Sequence, residues 1–310
     1  MLNFNLKDIR IPYYGFVQGH DYISDKKIKI ISNLVKKESG VSVETFEHAF
    51  TALVGSGRCI SYAAARMGFY ELMTLLNIKG GDEVILLGST CSVMSAAVMK
   101  TGATPIYSDI DPATFGSCPV AISRCISEKT KMIVAQHSFG IPCDIEEIKS
   151  LSSDNNIFLL EDCALTLGST VNGRRVGTFG DAALFSTDHT KPLNTITGGL
   201  IYSNNIRIIE ALKLSQKTHG ELPLAKRRAL WLRFNIERRF CNPRRQRLMV
   251  VIDFIYAILT RLRVITDPFL SDDFSSSNER PSYPFPSKLP EFLAEIGLLE
   301  IDRWAETQRT

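Results

Sequence analysis

Two titratable residues, Asp162 and Lys191, suggest the first chemistry for this chain. Asp162 follows an apolar run at residues 157–160, and Lys191 lies 29 residues further on in a polar stretch. A carboxylate can keep a pyridine nitrogen protonated and a lysine amine can bind an aldehyde covalently, and pyridoxal 5′-phosphate requires both. Each residue alone is weak evidence for a cofactor site, because loop lysines are usually solvated and an aspartate after a strand often caps a helix. The pair in this order is the more specific signal.

The segments around this pair alternate between short apolar runs and amphipathic stretches, which predicts a mostly parallel sheet with helices on both faces. The predicted strands cover residues 58–63, 83–87, 104–108, 131–135, 156–160, 182–186 and 199–203. The predicted helices cover residues 43–54, 64–77, 92–100, 119–127, 206–217 and 289–304, with another beginning at Asp144. Ligands of such sheets bind at the carboxyl ends of the strands, where Asp162 lies.

Short motifs recur in a fixed order on either side of Asp162 and Lys191. They are Gly81-Asp82-Glu83-Val84-Ile85, Gly102-Ala103, Asp109-Ile110-Asp111, His137, Gly140, Pro142, Asp144, Glu161-Asp162-Cys163-Ala164, Gly180-Asp181, Phe185-Ser186, Lys191 and Gly198-Gly199. In this order they resemble the DegT/DnrJ/EryC1/StrS family of sugar aminotransferases, over residues 40–220 and again over 287–310. The resemblance implies the α/β fold of aspartate aminotransferase (fold type I of the pyridoxal-phosphate enzymes), a mostly parallel central sheet, and pyridoxal 5′-phosphate as cofactor.

The resemblance also implies roles for five residues. Lys191 stands five residues after Ser186 of a Phe-Ser pair, the spacing of the family's catalytic lysine. Asp162 would face the ring nitrogen of the cofactor, and Ser186 would donate its hydroxyl to the phosphate. Ala65 and Arg66 would bind the phosphate at a helix start, through backbone N–H groups and the Arg66 charge. The alternative for each is structural: a surface lysine, a capping aspartate, an ordinary serine at a strand end. No metal ligands are predicted.

Four positions depart from the family pattern. Ala64-Ala65-Arg66 replaces a serine–glycine–threonine type of phosphate motif, and Cys91 replaces the aromatic residue that stacks on the cofactor ring. Leu165 replaces a polar residue near the cofactor hydroxyl, and Pro284 falls where the neighbouring subunit normally supplies an asparagine. We therefore expect phosphate binding to be altered rather than lost, and the neighbouring subunit to contribute less to it.

The resemblance implies an aminotransferase that acts on a nucleotide-linked keto-sugar in polysaccharide or sugar biosynthesis, with glutamate as amino donor and a homodimer as the assembly. One alternative is a non-catalytic scaffold or membrane-associated partner of a glycan pathway, which the four departures and the short C-terminal region favour. Another is a pyridoxal-phosphate-dependent sugar dehydratase. That branch carries histidine at the lysine position, so Lys191 argues against it.

Composition narrows the class of protein. Seven cysteines among 310 residues form no CxxC pair, which is typical of a reducing cytoplasm and argues against a zinc site. Residues 1–14 lack a basic stretch followed by an apolar run, so we expect no signal peptide. The net charge of +3 does not indicate a nucleic-acid-binding protein.

The charge is concentrated in residues 226–263, which hold eleven basic and two acidic residues, a net +9 against −6 for the rest of the chain. Apolar runs alternate with the basic clusters, and the run at 248–259 is too short to cross a bilayer. We expect either a helix pair packed on the domain or on a second subunit, or a helix on an anionic membrane surface at the inner face of the membrane. The predicted division is a large cofactor-binding α/β domain at 1–221, an insertion at 222–286 whose part 267–286 is a loop, and the start of a small C-terminal domain at 287–310.

Overall fold

The computed structural model of the chain describes residues 19–36, 41–242, 245–270 and 282–307. Residues 1–14, on which the expectation about a signal peptide depends, lie outside these ranges, as does most of the loop predicted at 267–286. In the described parts of the chain, no helix combines the length and the apolar character that crossing a bilayer needs.

Within these ranges, seven strands form one sheet and two short strands form a ribbon. The nine strands are β1 (Arg58–Tyr62), β2 (Glu83–Leu87), β3 (Thr104–Ser108), β4 (Thr130–Gln136), β5 (Phe158–Asp162), β6 (Thr170–Val171), β7 (Arg174–Arg175), β8 (Ala182–Ser186) and β9 (Gly199–Ser203). The order in the large sheet is β1-β9-β8-β5-β4-β2-β3, and only β9 runs antiparallel to its neighbours. The α/β class and the mostly parallel sheet are therefore confirmed. Asn172 and Gly173 join β6 to β7 with positive φ at both positions, the turn that this dipeptide favours.

The described residues form ten helices around the sheet. They are α1 (Asp25–Leu34), α2 (Val41–Val54), α3 (Ala65–Leu75), α4 (Ser92–Thr101), α5 (Pro119–Ser123), α6 (Ile145–Asp154), α7 (Ile206–Gln216), α8 (Leu224–Phe240), α9 (Gln246–Arg261) and α10 (Glu291–Thr307). Asp144 caps α6 as predicted, because its Oδ1 accepts the Glu147 N–H at 3.5 Å. The helix predicted at 119–127 ends early, at Ser123, and the Ser127 N–H donates instead to the Thr130 hydroxyl.

The two faces of the sheet pack into separate cores, and β5 contributes to both. Leu160 packs on the side that contains Phe46 and Leu72, whereas Leu159 packs with Ile145 and Ile148 on the other side. This alternation is the period of two that a strand imposes. It places the next residues of β5, Glu161 and Asp162, on opposite faces of the sheet.

Part of the insertion belongs to the main core. Phe234 of α8 is fully buried, and Trp231 stacks on it and meets Phe292 of α10 edge to face. Helices α8 and α10 thus share one apolar core with the sheet. The division at 221/222 and 286/287 stays a prediction.

The start of α3 lies against β9 at Gly199. A β-carbon on Gly199 would come within 2.2 Å of the Ala65 Cα, so only glycine allows this approach. Gly199 pairs with Ser186 of β8 on one side and with Tyr62 of β1 on the other. The contact therefore brings the first residue of α3 close to the end of β8.

We predict that Gly199→Ala destabilises the chain by about 3 kcal/mol, because the added methyl group meets backbone that cannot move without shifting α3. The control is Gly80→Ala. Gly80 is exposed, and a β-carbon at this position would meet no atom closer than 3.7 Å. The measurement is the free energy of unfolding in urea. Equal stability of the two variants would show that α3 is not held against β9 in this way.

Candidate active site

Asp162 and Lys191 line one cavity of about 490 Å³. Its walls come from the residues that follow β2 and β3 and from the ends of β4 and β5, so it lies at the carboxyl edge of the sheet. A larger cavity of about 940 Å³ lies at the other edge, near Lys79, Lys131 and Phe158, where β4 and β5 begin. That second cavity contains neither of the two predicted residues.

Asp162 is 5% exposed as a residue, and only one of its carboxyl oxygens has a described hydrogen-bond donor. Its Oδ1 accepts the Ala164 N–H at 3.0 Å, and its Oδ2 has no hydrogen-bond donor within the described residues. Burial raises the pKa of Asp162, and the Ala164 N–H and the charge of Lys191 offset part of that rise. A buried carboxylate is costly without a partner, so the cavity has a place for a positively charged or N–H-bearing group beside Oδ2.

Lys191 is held by its backbone and has a free side chain. Its N–H donates to the Asp188 carbonyl at 2.9 Å in the loop between β8 and β9. Its Nζ forms no ion pair with any side chain that the structure describes, although it lies near enough to lower the pKa of Asp162 and Asp188. An amine that is available within a cavity beside a buried acid suits covalent chemistry better than a surface lysine would.

The loop that carries Lys191 is braced by charge. Asp188 and His189 lie 3.0 Å apart as an ion pair whose geometry is not that of a hydrogen bond. Burial acts to raise the pKa of Asp188, but His189 and the Thr190 N–H outweigh it and hold the pKa below its usual range. Burial likewise acts to lower the pKa of His189, but the neighbouring Asp188 carboxylate outweighs burial, so the pKa of His189 is raised.

The insertion reaches the same loop. Asn194 accepts the Ile196 N–H at 2.7 Å and donates to Glu237 of α8 at 3.4 Å. Glu237 is buried and pairs with Arg233 at 2.7 Å. Helix α8 thus helps to fix the loop that positions Lys191.

Glu161, the neighbour of Asp162, has every partner that it needs. Its carboxylate accepts the N–H groups of Gly177, Phe179 and Gly180 at 2.6–2.7 Å, and it contacts His137 Nε2 at 3.2 Å. His137 Nδ1 accepts a further backbone N–H, that of Cys143. Glu161 therefore anchors the turn at 177–180 to the end of β5, and sequence reasoning gave it no role.

Glu161, His137 and Cys163 are close enough together to resemble a set of metal ligands. Backbone N–H groups already occupy the Glu161 oxygens and His137 Nδ1. Burial raises the pKa of the Cys163 thiol to about 12, which keeps it protonated and a poor ligand. Hydrogen bonding accounts for this cluster.

The predicted phosphate residues lie together but outside the cavity wall. Ser186 ends β8, Ala65 begins α3, and Gly199 lies between them. Ala64 forms no side-chain cap on α3, so no hydroxyl or carboxylate competes for the first N–H groups of this helix. The Arg66 guanidinium donates to the Leu270 carbonyl after α9, a contact that the sequence did not predict.

Two of the departures line the cavity itself, namely Cys91 and Leu165. Pro284 instead packs beside Gly220 of the same chain.

Two phenylalanines that sequence reasoning missed also line the cavity. They are Phe115 and Phe139, which are 50% and 75% exposed. Both have a positive φ, and their rings meet edge to face at 6.3 Å. No sequence signal marked them, since phenylalanine normally indicates core.

We predict that Glu161→Gln lowers the free energy of unfolding by about 3 kcal/mol. The glutamine NH2 group would face backbone N–H groups of the turn, so donors would meet donors where the carboxylate now accepts. The matched control is Glu147→Gln, an exposed position on α6. Urea unfolding measures both variants. If both unfold at the wild-type midpoint, the carboxylate is not the anchor of this turn.

Known proteins resemble this chain in sequence and in fold. The sequence model of the DegT/DnrJ/EryC1/StrS aminotransferase family matches residues 23–232. GDP-perosamine synthase of Vibrio cholerae is 31% identical over 171 residues, which are 55% of this chain and 47% of that protein. The dTDP-3-amino-3,6-dideoxy-alpha-D-galactopyranose transaminase of Aneurinibacillus thermoaerophilus is 34% identical over 176 residues, 56% of this chain and 48% of that protein.

Among solved structures, an aminotransferase from Psychrobacter cryohalolentis superposes with a TM-score of 0.66 at 23% identity, over 94% of this chain and 64% of that one. This likeness shows the fold, which confirms the predicted aspartate-aminotransferase architecture. The chain spans about half the length of the curated relatives it matches.

Proposed function

The chain belongs to the DegT/DnrJ/EryC1/StrS aminotransferase family, and we propose that it is a pyridoxal-phosphate-dependent aminotransferase acting on a nucleotide-linked keto-sugar. The proposal rests on the observation that Asp162 and Lys191 line the same cavity. Relatives that include a GDP-perosamine synthase and a dTDP-amino-sugar transaminase support the class of substrate.

The residues present fit the cofactor. Asp162 lines the cavity and its Oδ2 has no described hydrogen-bond donor, so a protonated ring nitrogen would supply both an N–H and a positive charge to this carboxyl group. Lys191, on the same cavity, offers an amine that pairs with no described side chain. The start of α3 at Ala65 and the nearby Ser186 lie outside the wall of this cavity, and a phosphate that extends beyond the wall would meet their N–H and hydroxyl donors.

Pyridoxal phosphate, when bound, supplies a ring that accepts electrons from the bond broken at the amino-bearing carbon. The chain's own groups do the rest. The negative charge of Asp162 would favour protonation of the ring nitrogen. Lys191 Nζ would take the proton released at the amino-bearing carbon and pass it on within the cavity. Arg66 is oriented by the Leu270 carbonyl and would add positive charge near the phosphate donors.

The remaining parts of the proposal rest on the family. We propose glutamate as amino donor, a homodimer as the assembly and the cytoplasm as the location. Pro284 packs within its own chain and has no side-chain donor, so the neighbouring subunit would contribute less to phosphate binding than the family pattern implies. Cys91 and Leu165 leave the cavity wall without the stacking aromatic and the polar group expected at their positions.

Those two substitutions favour a second candidate, a non-catalytic scaffold of a glycan pathway. The half-satisfied Asp162 argues against it. A scaffold that no longer binds the cofactor gains nothing from a carboxyl group whose second oxygen has no described hydrogen-bond donor and whose charged form is disfavoured by burial.

We predict that Asp162→Asn slows the half-reaction with glutamate, followed as 2-oxoglutarate release, by at least about 100-fold. An amide has no charge to hold the ring nitrogen protonated, whereas the phosphate donors are untouched, so cofactor affinity should change by less than about tenfold. Equilibrium dialysis measures the affinity. Asp154→Asn, exposed on α6, is the control. Turnover near that of the wild type would mean that Asp162 is only a structural residue.

A further inference from the structure

Helix α9 presents an apolar face that no described residue covers. Leu248, Val251, Phe254, Ile255 and Ile258 are between 42% and 68% exposed. They recur at intervals of three and four residues and so form one side of the helix. Met249 and Tyr256, on the other side, are buried. Two further apolar residues beyond the helix end, Leu262 and Val264, are about as exposed as Phe254.

Helix α8 behaves in the opposite way. Its aromatic residues Trp231 and Phe234, which belong to the basic and apolar stretch at 226–263, both pack into the main core. On α8 only Leu232 is a large apolar residue with an exposed side chain, at 45%, so within the described residues the row of exposed apolar side chains of the insertion lies on α9.

The exposed side of α9 is bounded by positive charge at both ends. Arg245 precedes the helix, and Arg261 and Arg263 lie at its C-terminal end, all exposed. The one acid between them, Asp253, faces α8 and pairs with Arg233. The Asp253 side chain is 46% exposed, but it is paired with Arg233 and lies outside the row of exposed apolar residues, so that row has cations at its ends and no acidic residue within it.

This charge pattern decides between two kinds of partner. If a second copy of α9 covered the face in a parallel pair, the Arg245 side chains would meet. If the pair were antiparallel, Arg245 would meet Arg261 and Arg263. Both arrangements place like charges together, which is unfavourable. An anionic lipid surface is complementary in both respects, since its phosphates attract the arginines and its acyl boundary accepts the apolar side.

We propose that α9 lies in the interface of an anionic membrane, with Phe254 and Ile258 inserted below the headgroups and Arg261 and Arg263 at the lipid phosphates. The helix, about 24 Å long, is too short to cross the bilayer and long enough to lie along it. The contact of Asp253 with Arg233 joins it to the rest of the chain. The proposal does not depend on the aminotransferase activity.

The test is co-sedimentation of the full chain with phosphatidylcholine vesicles that contain about 30% phosphatidylglycerol, or none, at low and high salt. We expect binding to the anionic vesicles only, and its loss at high salt. Arg261→Gln with Arg263→Gln should weaken the partition coefficient about 30-fold, at the contribution usual for a basic residue near such a surface. Phe254→Gln with Ile258→Gln should weaken it at least about tenfold.

The matched control is Leu214→Gln on α7, because Leu214 is 67% exposed and lies outside the insertion. It should bind like the wild type. Equal binding to neutral vesicles, no binding at low salt, or the same loss in the control would each overturn the proposal. So would a result in which the α9 variants bind vesicles normally but change from dimer to monomer in sedimentation, since that would assign α9 to a second copy of the chain.

Discussion

Two adjacent buried carboxylates at the end of β5 determine how this molecule can work. Glu161 and Asp162 point to opposite faces of the sheet because side chains alternate along a strand. Glu161 accepts three backbone N–H groups and contacts His137, so its charge is fully compensated inside the protein. Asp162 accepts one N–H and turns its other oxygen to the cavity that Lys191 lines. The first acid fixes the end of the strand, and the second is left for a ligand.

The other elements hold the partners of Asp162 in reach. Gly199 allows α3 to approach β9, which brings Ala65 beside the end of β8. The loop after β8 carries Lys191 and is braced by the ion pair of Asp188 with His189 and by the bond from Asn194 to Glu237. Since Arg233 connects Glu237 to Asp253 of α9, the insertion links this loop to the outer surface of the molecule. The same helix pair therefore supports the site on one side and exposes the α9 face on the other.

Sequence reasoning was most accurate for the strands. The bounds predicted at 83–87, 104–108, 182–186 and 199–203 agree with β2, β3, β8 and β9, because buried strands read as apolar runs between polar or glycine residues. It was weakest where identical residue types have opposite environments. Leu230 is buried and Leu248 is exposed, although both belong to basic, apolar stretches, and only the tertiary packing of α8 separates them. Phe115 and Phe139 escaped notice for the same reason, and the Arg66 contact with Leu270 joins residues too distant in sequence for any local pattern to pair.

The proposed activity requires that Lys191 and Asp162 form one cofactor site, and covalent trapping tests this requirement most directly. Purified chain is incubated with pyridoxal phosphate, its visible absorbance is recorded, and borohydride reduction followed by peptide mapping locates the modified lysine. We predict cofactor-dependent visible absorbance and a single adduct on Lys191. An adduct on another lysine, or no absorbance and no adduct at saturating cofactor, would contradict the account.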